Sequence, residues 1–80
     1  MIELTVRWFA AYRELTETES ENIETSATTP AELFDEMKKR HQALGRRDAA
    51  LVAVNDEMAD WTTTLRNGDT VLFFPPVSGG

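Results

Sequence analysis

The chain closes on Gly79 and Gly80, and a terminal carboxylate carried by such a pair is the group here with the plainest chemical use. Glycine has no Cβ and accepts almost any φ/ψ, so a Gly-Gly end can enter a channel too narrow for a side chain and present its carboxylate there. A frayed terminus or a cloning remnant looks the same, so the pair alone decides nothing. The other reactive types narrow the field. There is no cysteine, which excludes a disulfide framework, a thiolate nucleophile and a thiolate metal site within this chain. His41 stands alone as the single histidine, and a helix-capping or partly buried role is expected of it. No Gly-x-x-x-x-Gly-Lys-Ser/Thr phosphate loop is present, so nothing visible binds ATP and no cofactor is expected on the chain. With no nucleophile and base of its own, the chain reads as a carried group.

A carried carboxylate needs help. A free α-carboxyl has a reference pKa of about 3.3–3.7, so at neutral pH it is an anion and a poor electrophile until another protein activates it. The segment Pro75-Pro76-Val77-Ser78-Gly79-Gly80 is suited to delivering it. Fully extended at ~3.3–3.6 Å per residue, the segment reaches about 20 Å, enough to enter a partner's pocket while the domain stays outside. Pro75 and Pro76 fix φ and restrict the residues before them, so less conformational entropy is lost on insertion, and they also end the preceding strand.

The elements behind this tail follow from periodicity. Ile2, Leu4, Val6 and Trp8 alternate with Glu3, Thr5 and Arg7, predicting a half-buried strand to about Phe9. Ala10–Leu15 predicts a short helix, and Asn22–Thr25 a second strand. Thr29, Pro30 and Glu32 form a helix start with a capping box, and Leu33, Phe34, Met37 and His41 mark the buried stripe of a helix over Pro30–Ala43. Lys38, Lys39 and Arg40 complement its negative end, and Gly45 stops it. Leu51–Val54 and Glu57–Ala59 flank an Asn55-Asp56 turn as a hairpin, and Asn67-Gly68-Asp69 turns into a last strand over Thr70–Phe74. The order β-β-α-β-β-β, with one main amphipathic helix on a mixed sheet, is an α+β arrangement of the ubiquitin-like β-grasp type. Trp61 is expected to plug the core, and Arg46-Arg47 is given no role.

In the last strand Val71 and Phe73 share one face, Leu72 and Phe74 the other. With Phe73 in the core, Phe74 lies outside near Phe9 and Met58, a docking patch at the root of the tail; alternatively these side chains complete the core. Arg13 is spaced to pair with Glu17 at i+4.

The chain has 80 residues, 41% of them hydrophobic and 9% aromatic, which predicts one globular domain over 1–80 with 75–80 protruding. Fourteen acidic against eight basic residues give a net charge of −6, which disfavours nucleic acid and favours a basic protein partner or plain solubility. No secretory signal or membrane-spanning run is seen, so the cytoplasm is the expected location and no membrane partner is expected.

The ending Gly68-Asp69-Thr70-Val71-Leu72-Phe73-Phe74-Pro75-Pro76-Val77-Ser78-Gly79-Gly80 resembles that of the small subunits of molybdopterin synthase, which typically close on Gly-Asp-x-Val-x-Phe-x-Pro-Pro-Val-x-Gly-Gly. Phe9-Ala10-x-x-Arg13-Glu14-Leu15 and Val54-Asn55 agree with the same family, so the resemblance spans the chain. It implies sulfur carriage. The Gly80 carboxylate would be adenylated by an ATP-using activating enzyme, converted to a thiocarboxylate, and used with the large synthase subunit on cyclic pyranopterin monophosphate. It also implies that Arg13 meets the partner. Two alternatives stay open: a sulfur carrier for thiamine or cysteine synthesis, and a ubiquitin-like modifier conjugated through Gly80.

Overall fold

The computed structural model describes residues 1–47 and 50–75, so of the predicted tail over 75–80 only Pro75 lies within the described residues. Strand β1 covers Ile2–Trp8, helix α1 Ala11–Thr16, β2 Ser20–Thr25, helix α2 Pro30–Arg40, β3 Leu51–Val54, β4 Glu57–Ala59 and β5 Thr70–Phe74. The strands form one five-stranded sheet in the order β2-β1-β5-β3-β4. β1 and β5 run parallel at its centre, and the flanking pairs are antiparallel. Helix α2 covers one face, giving the ubiquitin-like two-layer arrangement that the alternating patterns predict.

The alternation in β1 sends Leu4, Val6 and Trp8 inward at 2% exposure or less. From β5 come Val71 and Phe73, and from α2 the Leu33, Phe34 and Met37 stripe, all of them fully buried. Phe34 meets Phe73 edge-on at 5.1 Å, and Phe73 is sandwiched between Trp8 at 5.4 Å and Trp61 at 5.8 Å. Burying each of these large side chains contributes about 1.5–3 kcal/mol. Trp61 is therefore part of this packing, as predicted, while half-buried at its rim.

Several boundaries differ from the sequence reading. β1 ends at Trp8, since the chain turns sharply after Phe9, and β2 begins at Ser20. Helix α2 ends at Arg40 instead of Ala43: His41 leaves helical geometry at φ −127°, ψ 81°, and Gln42–Leu44 form a 3-10 turn whose Leu44 fills the core. His41 is thus a cap outside the buried stripe. At the other end Thr29 Oγ1 accepts from the Glu32 amide, as a capping residue should, at 3.2 Å. The return bond goes one residue further out than a capping box predicts, because the Glu32 carboxylate accepts from the Thr28 amide and hydroxyl at 2.7 and 2.9 Å. Those bonds, the backbone one foremost, hold the Glu32 carboxyl below its ordinary pKa.

Two turns fix how β5 meets its neighbours. Asn55 and Asp56 take φ of 51° and 69°, the left-handed pair a type I′ hairpin needs. Asn55 then ties the hairpin to the start of β5: its Oδ1 accepts from the Thr70 amide at 2.9 Å and its Nδ2 donates to Asp69 at 2.8 Å. At the next turn the Glu3 amide donates to Asn67 Oδ1 at 2.8 Å, and Gly68 donates back to the Glu3 carbonyl at 2.7 Å.

Candidate functional site

Residues paired across neighbouring strands share a face of the sheet, so register decides what the uncovered face displays. Leu51 pairs with Phe74, and Ala53 lies between Leu72 and Met58. These side chains alternate with the buried Val52, Val71 and Phe73 and so point away from α2. Phe9, next after Trp8 and its partner Phe73, completes the row: its ring lies 5.3 Å from that of Phe74, tilted by 54°. Phe9, Leu51 and Met58 are 53%, 51% and 62% exposed. Large apolar side chains left together in water mark an interaction surface.

The face is divided. Its β1–β2 half is polar, with Glu3 opposite Glu24, Arg7 opposite Ser20, and the Thr5 hydroxyl donating to Asn22 Oδ1 at 2.8 Å. Its β5–β3–β4 half is apolar, with Arg7 opposite Leu72 at the border. The chain leaves the sheet from the apolar half. Pro75 follows Phe74 with no amide hydrogen to extend the ladder, and there the strand ends.

The predicted site residues are placed as follows. Phe9 and Phe74 are in contact, and Met58 lies on their face one register row away, beside Ala53 and Leu72. Leu51 was absent from the predicted patch, although it stands directly opposite Phe74. Its signal was the uninterrupted run Leu51-Val52-Ala53-Val54, which in a strand must send alternate residues outward. Arg13 is exposed on α1 and forms no ion pair among the described residues. The alternative pairing with Glu17 does not form, because Glu17 turns left-handed at φ 58° after Thr16 and leaves the helical register. Gly80, Gly79, Ser78, Val77 and Pro76 lie outside the described residues.

His41 is held structurally. Its Nε2 lies 2.7 Å from Glu21 Oε2, which also accepts from the Trp8 indole at 2.8 Å, and its ring meets Trp8 edge-on. Among the described residues no group of three His, Cys, Asp or Glu is gathered as a metal site would require. Arg47, given no role from sequence, caps the Trp61 ring at 4.9 Å. Among the described residues no helix is long and apolar enough to cross a membrane.

An apolar half-face thus surrounds the exit of the last strand. Residues 6–80 match the model of the ThiS family. The chain belongs to that family. It is 36% identical to the molybdopterin synthase sulfur carrier subunit of Mycobacterium tuberculosis, an alignment covering all of both chains. Among solved structures, the putative molybdopterin converting factor subunit 1 of Pyrococcus furiosus superposes with a TM-score of 0.81 at 32% identity, over 96% of this chain and 100% of that one. A complex of subunits 1 and 2 of the molybdopterin-converting factor of Helicobacter pylori contains a chain matching at a TM-score of 0.68 and 26% identity, over 99% of this chain and 100% of that one. By homology this is a sulfur carrier, with the ubiquitin-like fold its residues predict.

Proposed function

We propose that this chain is the sulfur-carrying small subunit of a molybdopterin synthase, bearing its cargo on Gly80. An activating enzyme uses ATP to convert the Gly80 carboxylate to an acyl-adenylate with loss of pyrophosphate. A sulfur donor then displaces AMP to leave a thiocarboxylate. Docked on the large subunit, the thiocarboxylate sulfur bonds to cyclic pyranopterin monophosphate, and water cleaves the acyl carbon–sulfur bond, leaving sulfur on the pterin and regenerating the carboxylate for another round. Beyond the Gly80 carboxylate and the thiocarboxylate it becomes, the chain supplies no acid, base or nucleophile to these steps. ATP belongs to the activating enzyme, and nothing is bound here between them.

One observation carries the proposal: the apolar half-face of Phe9, Leu51, Leu72, Phe74 and Met58 surrounds the point where the chain leaves β5. A partner that covers this patch holds the root of the tail, so the Pro75–Gly80 segment enters its pocket from a fixed origin. Membership of the ThiS family and the H. pylori two-subunit complex support the same reading. Arg13, exposed on α1, is the polar contact proposed for the partner. Because both partners need one tail and one patch, the activating enzyme and the large subunit bind in turn.

Intact mass spectrometry of the protein from its own cells tests the cargo, alongside a strain lacking Gly80. The expected result is a fraction heavier by the difference between sulfur and oxygen, and loss of molybdoenzyme activity on deletion. A chain found only as carboxylate, with activity intact after deletion, overturns the proposal. So does a chain found covalently joined to lysines of other proteins, which would mark a modifier.

A further inference from the structure

Ala10 holds a backbone conformation that an alanine rarely adopts, and it does so next to the most exposed aromatic ring of the described chain. Its φ of 53° with ψ of −125° lies outside the small left-handed region open to L-residues. Glu17, at φ 58° and ψ 28°, sits within that region, so the two positive-φ residues flanking α1 are not alike. The Tyr12 amide donates to the Phe9 carbonyl at 3.1 Å, closing a turn over Phe9-Ala10-Ala11-Tyr12. Ala10 occupies the first central position of a type II′ turn, where glycine is the ordinary choice.

Folding accounts for the turn but not for the residues in it. Trp8 and Tyr12 are buried at 2% and 3% exposure, with their rings edge-on at 6.1 Å. Two anchors this close oblige the chain to reverse between them. Glycine would meet that demand without strain, and a polar residue at position 9 would avoid an exposed ring. The chain instead combines a strained alanine with a phenylalanine that is 53% exposed. Strain that persists beside an interaction surface is commonly part of how the surface works.

We infer that Ala10 is a positioning residue for docking: within the turn that the buried Trp8 and Tyr12 impose, its Cβ leaves little room in φ/ψ and fixes the backbone of Phe9 so that the ring stands against Phe74 before any partner arrives. Glycine would reach the same turn and many others besides, leaving Phe9 to be ordered on binding. Ordering one side chain at an interface weakens binding by a factor of about two to ten. The inference rests on the apolar half-face being the docking site for the large subunit.

The experiment measures affinity of the full chain for the large synthase subunit in a cycle of Phe9→Ala, Ala10→Gly and the double variant, with a melting curve for each. Ala10→Gly is expected to melt no lower than the wild type yet to bind about three- to tenfold more weakly, while the double variant binds like Phe9→Ala alone. Equal weakening by Ala10→Gly with and without the Phe9 ring would make the effect merely structural and overturn the inference. So would unchanged affinity of Ala10→Gly where Phe9→Ala binds more weakly. If Phe9→Ala itself has no effect, the docking face is wrong and the role of Ala10 falls with it.

Discussion

Tyr12→Phe removes one oxygen atom and should make the protein more stable. The Tyr12 side chain is packed between Trp8 and Phe34 at 3% exposure, and its hydroxyl meets no hydrogen-bond partner among the described residues. A buried hydroxyl without a partner costs about 1–3 kcal/mol, while the ring that remains in the variant keeps its aromatic contacts. A gain of about 1 kcal/mol is the conservative expectation. Unfolding entropy near 2.1 cal/mol/K per residue, over a chain of 80 residues, converts that into a melting temperature higher by about 6 °C. The pH dependence gives an independent check. Burial raises the Tyr12 pKa above its ordinary 10.0, so the folded state holds the phenolic proton more tightly than the unfolded state. That contribution is fully present below pH 10.0 and is lost as pH rises from there through the folded-state value, at up to about 1.4 kcal/mol per pH unit. The phenylalanine variant lacks this loss, so the gap between the two proteins should widen with alkalinity. Tyr12 is the single tyrosine, so tyrosinate absorbance in an alkaline titration reports on it alone. Tyrosinate appearing near pH 10.0 in a protein that stays folded, with the variant no more stable than wild type, would refute the reasoning.

Asn55→Ala loses the acceptor for the Thr70 amide and the donor to Asp69, together with a residue type tolerant of positive φ. A loss of about 2–3 kcal/mol is expected in chemical denaturation, with Asn55→Gly recovering the backbone share alone. Leu51→Asp should leave the fold intact, since Leu51 is 51% exposed, yet weaken binding to the large subunit by about 1–3 kcal/mol in calorimetry. Phe74→Ala should weaken it by a similar amount, and folded variants with wild-type affinity would remove the patch from the docking surface.

Much of this was legible because local pattern and tertiary demand agree. The alternation from Ile2 to Trp8, the Pro30 start of α2 and the Asn55-Asp56 turn each follow from short-range physics, and each is found in place. The end of α2 was hidden because His41 answers to Glu21, a residue on a different strand. The pairing of Phe9 with Phe74 could be anticipated from the odd member of each alternating pattern. The division of the outer face into polar and apolar halves could not, for it depends on β5 entering between β1 and β3. Leu51 was missed for the same reason, since a short all-apolar run has no period to say which residues face outward. Arg47 over Trp61 is a contact between two loops, with no spacing rule to announce it.

The position of β5 has a mechanical consequence. It is bonded on both sides, to β1 in parallel and to β3 antiparallel, and Phe74 at its end joins it to Pro75. A pull applied at that end along the strand axis loads both ladders along their length, so the hydrogen bonds resist together in shear. An edge strand pulled sideways would give way one bond at a time. The domain can therefore be tugged from the end of β5, engaged and released repeatedly, without that strand being peeled from the sheet.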